Sequence, residues 1–174
     1  MSRKVLKLLM VLDKKRSYLW RLKYYKQLGM QIGDNTHIFS NIGGEAYLIE
    51  IGNNCTISTE VSFLTHDASV GTIFQREEYS DLCGRIKIGD NCFIGNKSII
   101  LYGVSLGDNT IVAAGSVVTK SFGSGVVVGG NPARVICSTD DFIFKHQNNF
   151  LCLHGKSSGE KRKIILESGK LITR

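Results

Sequence analysis

Apolar and polar positions along this chain repeat every six residues. In the cleanest stretch Ile88, Ile94, Ile100, Leu106, Val112 and Val118 stand at that interval, separated by small and polar residues. The same slot is aliphatic at Ile32, Ile38, Ile51 and Ile57, with Phe63 as the one aromatic. A second slot, four residues on, is mostly small: Thr36, Cys55, Val61, Cys92, Ser98, Val104, Thr110 and Ser116. One large and one small inward position per step predict short strands joined by tight corners. Near-identical tetrapeptides, Ile32-Gly33-Asp34-Asn35, Ile51-Gly52-Asn53-Asn54, Ile88-Gly89-Asp90-Asn91 and Leu106-Gly107-Asp108-Asn109, begin 19, 37 and 18 residues apart. The unit is therefore three six-residue steps, which predicts a triangular solenoid whose coils stack like residue on like. Gly, Asn and Asp at the corners suit left-handed backbone angles. Cys55 and Cys92 fall in the small slot and read as packing residues.

The beat slips twice. Between Ile38 and Ile51 it loses phase around Gly43-Gly44-Glu45, and it loses phase again between Phe63 and Ile88. Residues 69–85 carry no hexapeptide pattern and read as an excursion loop thrown out of the scaffold, the kind of place where function gathers. Residues 1–30 interleave Leu, Trp and Tyr with Lys and Arg at helical spacing, which predicts a helix capping the first coil. Adhesion of this basic amphipathic segment to a membrane surface is the second reading. The repeat covers residues 31–137. Beyond Pro132, the only proline, a tail over 138–174 holds helical pieces near 139–147 and 159–168.

A chain of 174 residues suits one main domain with appendages. Its net charge of +7 favours polyanionic partners in general: nucleic acid, an anionic membrane surface or a phosphorylated cofactor. Five cysteines without C-x-x-C spacing suggest a reducing compartment. The apolar run Val5–Leu12 is too short to span a bilayer and has no cleavage signature, so a cytoplasmic location is expected.

Chemistry is expected where the repeat fails. Of four histidines, only His66 stands where the regular coil gives way to the excursion loop. A histidine at such a corner is suited to general-base work. Asp67 beside it is a candidate to orient the imidazole or contact substrate, although neighbours on a strand point apart. Histidines recurring in register as a metal set are lacking, so no metal is expected. Nucleophile elbows, P-loops and dinucleotide fingerprints are missing too. Near the far end, Lys120 and Arg134, with glycines around them, could hold phosphates.

Taken together, IGDNCFIGNKSIILYGVSLGDNTIVAAGSVVTK and VVVGGNPARVI resemble the hexapeptide-repeat acyltransferases, and in particular the C-terminal half of maltose, galactoside and xenobiotic acetyltransferases. The resemblance implies an all-β solenoid, a left-handed parallel β-helix. FLTHDAS resembles the O-acetyltransferases of surface-polysaccharide pathways. The implied reaction is direct transfer from acetyl-CoA, with His66 as general base and no acyl-enzyme. Similarity to the galactoside enzymes implies CoA contacts from Asn96, Ala114, Thr119, Lys120 and Arg134, and a homotrimer with active sites between subunits. A sugar or glycan is then the expected acceptor, and nucleic acid is not an expected partner. The N-terminal segment and residues 69–85 depart from the family pattern, and both bear on the acceptor. N-acetylation of an amino sugar-nucleotide or xenobiotic, and a non-catalytic β-helix scaffold, are the competing readings.

Overall fold

A computed structural model describes residues 1–13, 17–74 and 81–172. They form two compact units, Met1–Thr139 and Asp140–Arg174. The first unit opens with two helices where the sequence suggested one, α1 (Arg3–Leu12) and α2 (Ser17–Gln27). Ser2 caps α1, its hydroxyl accepting from the Val5 N–H at 3.3 Å. The start of α1 is tied to the end of α2: Arg3 donates to the Gln27 carbonyl, and Gln27 Nε2 donates to the Met1 carbonyl at 3.0 Å. Helix α2 rests on the first coil, where Tyr25 is buried, its hydroxyl accepts from the Ile42 N–H at 2.7 Å, and Arg21 donates to the Ile38 carbonyl at 3.1 Å.

The coil then winds through three parallel sheets in turn. Strands β1 (Gln31–Ile32), β3 (Ile49–Ile51), β8 (Ile86–Ile88) and β11 (Ser105–Leu106) line the first face. Strands β2 (His37–Ile38), β4 (Thr56–Ile57), β9 (Phe93–Ile94), β12 (Ile111–Val112) and β14 (Val126–Gly130) line the second. Strands β5 (Ser62–Leu64), β10 (Ile99–Leu101) and β13 (Val117–Val118) line the third. Register keeps the six-residue slot in stacks: Ile51 on Ile88 on Leu106, Ile57 on Ile94 on Val112, and Phe63 on Ile100 on Val118. All nine side chains are buried, so each coil's core is continuous with the next. At one corner Asn35, Asn54, Asn91 and Asn109 all take positive φ, between 53° and 56°. Their side-chain amides bond in file at 3.0–3.1 Å. Cys55 and Cys92 are buried, and their thiols donate to the carbonyls of Gly89 and Gly107, in keeping with a packing role.

Both slips have structural counterparts. Among the described residues no strand fills the third face of the first coil; the chain runs through Gly43-Gly44-Glu45 into a single 3₁₀ turn at Ala46–Leu48. After β5 it leaves the coil as β6 (His66–Asp67), α3 (Ser69–Phe74) and β7 (Leu82–Cys83), with β7 antiparallel to β6. The excursion is thus more ordered than its lack of pattern suggested, because Asp67 Oδ1 accepts from the Ser69 N–H at 2.8 Å and starts the helix. The middle of that segment, residues 75–80, lies outside the described residues. At the far end β15 (Ala133–Ser138) reverses and pairs antiparallel with β14. From Asp140 on, the second unit holds all but the first residue of α4 (Thr139–His146), and α5 (Ser158–Glu167), the latter begun by a capping box of Ser157 and Glu160.

Candidate active site

The two slips meet. Thr65 is buried at the end of β5, and its hydroxyl accepts from the Glu45 N–H at 3.2 Å while donating to Glu45 Oε2. The approach depends on Gly44, whose φ is +74° and where a Cβ would stand 2.6 Å from Thr65 Oγ1. So anchored, the Glu45 carboxylate presents Oε2 to Nδ1 of His66 at 2.9 Å. A carboxylate can only accept, so Nδ1 carries the proton and the neutral imidazole keeps its free lone pair at Nε2. His66 is 43% exposed and Glu45 29%, so the pair sits at the surface. Beside it lies a cleft of about 230 Å³ lined by Asn41, Gly43, Phe63, Leu64, Thr65 and His66, among others.

Charge follows geometry. The hydrogen bond from Thr65, then that from His66, hold the Glu45 carboxyl below the usual carboxylate range. The hydrogen bond to Glu45 and its negative charge raise the His66 imidazole above the ordinary value, with Asp81 and Asp67 adding in the same direction. Asp67 does not hold the ring. Its carboxylate accepts from the Ser69 N–H at 2.8 Å and from the Tyr102 hydroxyl at 3.4 Å, contacts that also lower its pKa. Glu45 and Thr65 were missed in the sequence. The available signal was an acid placed directly after two glycines where the beat slips.

The other candidates fall at three places on the coil. Asn96 and Ala114 share the corner leading into the third face, where the Gly115 N–H donates to the Asn96 carbonyl at 2.8 Å. That corner is tight: a Cβ at Gly95 would lie 2.5–2.9 Å from backbone atoms of Val112, Ala113 and Ala114. Thr119 and Lys120 follow β13, on the edge of the third face where His66 follows β5. Carrying the β5–β10–β13 register onward sets Lys120 two coils from Thr65, about 10 Å at strand spacing. Its ammonium lies 5.6 Å from the Phe122 ring centre. Arg134 lies on β15, opposite Gly129. Within one chain, then, His66, Thr119 and Lys120 share an edge, while Asn96 and Ala114 lie across the face from them. Among the described residues no three His, Cys, Asp or Glu side chains converge as a metal set.

The repeat and the fold it builds are shared with other proteins. A family model described as the hexapeptide repeat of succinyl-transferase matches residues 85–120. Protein CapG of Staphylococcus aureus is 40% identical over 149 residues, which span 83% of this chain and 87% of CapG. The galactoside O-acetyltransferase of Escherichia coli K12 is 35% identical over 118 residues, 63% of this chain and 57% of that protein. Among solved structures, the hexapeptide-repeat acetyltransferase VCA0836 of Vibrio cholerae, complexed with acetyl coenzyme A, is 28% identical with a TM-score of 0.64, covering 78% of this chain and 84% of that one. The chain belongs to the hexapeptide-repeat acyltransferases, and the pair at its break is the candidate centre of an acyl-transfer enzyme.

Proposed function

We propose that this protein is an acetyl-CoA-dependent O-acetyltransferase that esterifies a hydroxyl of a sugar or glycan. The observation that carries the reading is the 2.9 Å contact of His66 Nδ1 with Glu45 beside an open cleft. His66 Nε2 takes the proton of the acceptor hydroxyl as that oxygen attacks the thioester carbonyl. The imidazolium so formed is stabilised by Glu45, and the collapsing tetrahedral intermediate releases the CoA thiolate, to which the proton is returned. Hydrogen-bond donors facing the developing oxyanion supply the remaining stabilisation. Asp67, next to His66 in the chain, is a candidate acceptor contact.

Two relatives, a galactoside O-acetyltransferase and an acetyltransferase bound to acetyl coenzyme A, support this donor and acceptor class. Family membership also supports left-handed winding of the coil and a homotrimer. A trimer would explain why the CoA candidates are divided within one chain: Thr119 and Lys120 share an edge with His66, while Asn96 and Ala114 lie at the opposite corner. A groove between two copies can bring one copy's edge to the other's corner, with Arg134 toward the nucleotide end.

The test is acetyl-CoA turnover against a panel of sugars, reading thiol release and acetylated product by mass. His66→Ala is expected to lose at least about 100-fold in turnover. Near-normal turnover in that variant would remove the mechanism. A product stable to mild base would be an amide and would move the reading to N-acetylation.

A further inference from the structure

The chain's positive charge is segregated. Nine of its 22 Lys and Arg, but one of its 15 Asp and Glu, lie within the first 30 residues. That is a local net charge of +8 against +7 for the whole, so everything after residue 30 is close to neutral. The single acid, Asp13, is engaged by Trp20, whose Nε1 donates to Oδ2 at 3.3 Å. In α1 and α2 the exposed cations include Arg3, Lys4, Lys7, Lys23 and Lys26.

The same two helices expose apolar surface in an ordered way. Leu6, Leu9 and Met10 form the side of α1 that is shielded, Leu6 completely. A second stripe, Val5, Leu8 and Leu12 at helical spacing, faces solvent, with exposures of 43%, 56% and 69%, and Val11 beside it is 68% exposed. On α2, Leu19, Trp20 and Leu22 line an open groove of about 390 Å³ whose rim is Lys23 and Lys26. Lys23 also lies over the Trp20 ring at 5.2 Å. Packing against the coil does not require this outward stripe, because α2 makes that contact through Tyr25 and Arg21.

We propose that the α1–α2 hairpin docks the enzyme on an anionic lipid surface. Apolar residues and a tryptophan flanked by lysines, on helices of one sign of charge, match the chemistry of an interface with buried acyl chains below and anionic headgroups beside. A polyanion in solution, such as nucleic acid, would use the lysines and leave the leucines without a role. No helix among the described residues is long and apolar enough to cross a membrane, so the hairpin would lie on the surface.

The test is co-sedimentation of the full-length protein with vesicles of phosphatidylcholine alone or mixed with phosphatidylglycerol, across a salt series. Binding is expected to be at least about tenfold tighter to the anionic vesicles and to weaken with salt. Leu8→Asp with Leu12→Asp is expected to lose at least about tenfold in affinity with native mass and melting temperature unchanged. Lys4→Glu with Lys26→Glu, both exposed polar positions, should abolish the anionic preference and keeps the test decisive if the leucine variant misfolds. Equal binding to neutral and anionic vesicles, or full binding by the folded leucine variant, would overturn the proposal. So would a change of oligomeric mass in the leucine variant, which would assign the stripe to contact between copies.

Discussion

Glu45 and His66 are 21 residues apart in sequence and 2.9 Å apart at Oε2 and Nδ1. They meet because one interruption of the repeat lies one coil from the other on the same side of the scaffold. Thr65 fixes the carboxylate before the imidazole reaches it, so the acid is placed by the coil and not by the histidine it serves.

In the proposed mechanism this order of dependence makes Glu45 a positioning residue with a kinetic signature. A base must be neutral to accept a proton, so in that mechanism a raised His66 pKa sets the acid limb of the rate profile above the ordinary histidine range. Glu45→Gln keeps an oxygen for Thr65 and removes the charge. Its acid limb is expected to move to lower pH while kcat falls, and an unmoved limb in kcat/KM against pH would show that the carboxylate does not tune the base.

The same pair makes stability depend on pH within a narrow window. The His66 pKa is raised, so its contribution is complete below the unfolded value of 6.5 and fades as pH climbs through the folded one. The Glu45 pKa is lowered, so its contribution is complete above the unfolded value of 4.5 and fades as pH drops through the folded one. The melting temperature of the wild type should exceed that of Glu45→Gln most between about pH 4.5 and 6.5, the span between those ordinary values. Thermal scans from pH 4 to 9 check this, and a gap that keeps widening above pH 8 contradicts it.

If Lys120 and Arg134 hold the phosphates of CoA as proposed, Lys120→Ala combined with Arg134→Ala should weaken CoA binding. The readout is loss of the rise in melting temperature that CoA gives the wild type. His66→Ala should keep that rise, which separates binding from chemistry.

The asparagine file allows a backbone test of the scaffold. Asn91 has φ +56° and bonds to Asn54 and Asn109 on either side. Asn91→Ala is expected to cost about 1–2 kcal/mol through left-handed backbone strain alone. Asn91→Gly should cost less, because it relieves the strain while losing the same amide bonds. Urea denaturation of both variants gives the comparison, and equal losses would point to the amide bonds in place of the backbone.

The repeat was legible in sequence because each inward position repeats at a fixed local interval, so Ile51, Ile88 and Leu106 announce their own stacking. The histidine was legible for the opposite reason, as a residue at the point of failure. Its partner was not, because nothing local to Glu45 says which later coil residue lies above it. That depends on how many residues the first slip omits from the third face. Asp67 was ambiguous for a similar reason: its side chain serves the start of α3, a helix with no period to announce it. The N-terminal segment read as one helix because its apolar spacing runs through Asp13. Its basic, amphipathic character was legible, but the division into two helices and the outward stripe of Val5, Leu8 and Leu12 depend on how α1 packs against α2.

The reversal at β15 has a consequence for the life of the molecule outside the active site. A stack of like rungs invites further rungs, since each open edge offers the next strand its hydrogen bonds in register. On the second face the last parallel strand, β14, meets a partner running the other way, with a shift in register between Val127 and Val128. An incoming copy would there find an edge that its own first strands do not match. The reversal that carries Arg134 also keeps that face of the coil from seeding a fibre.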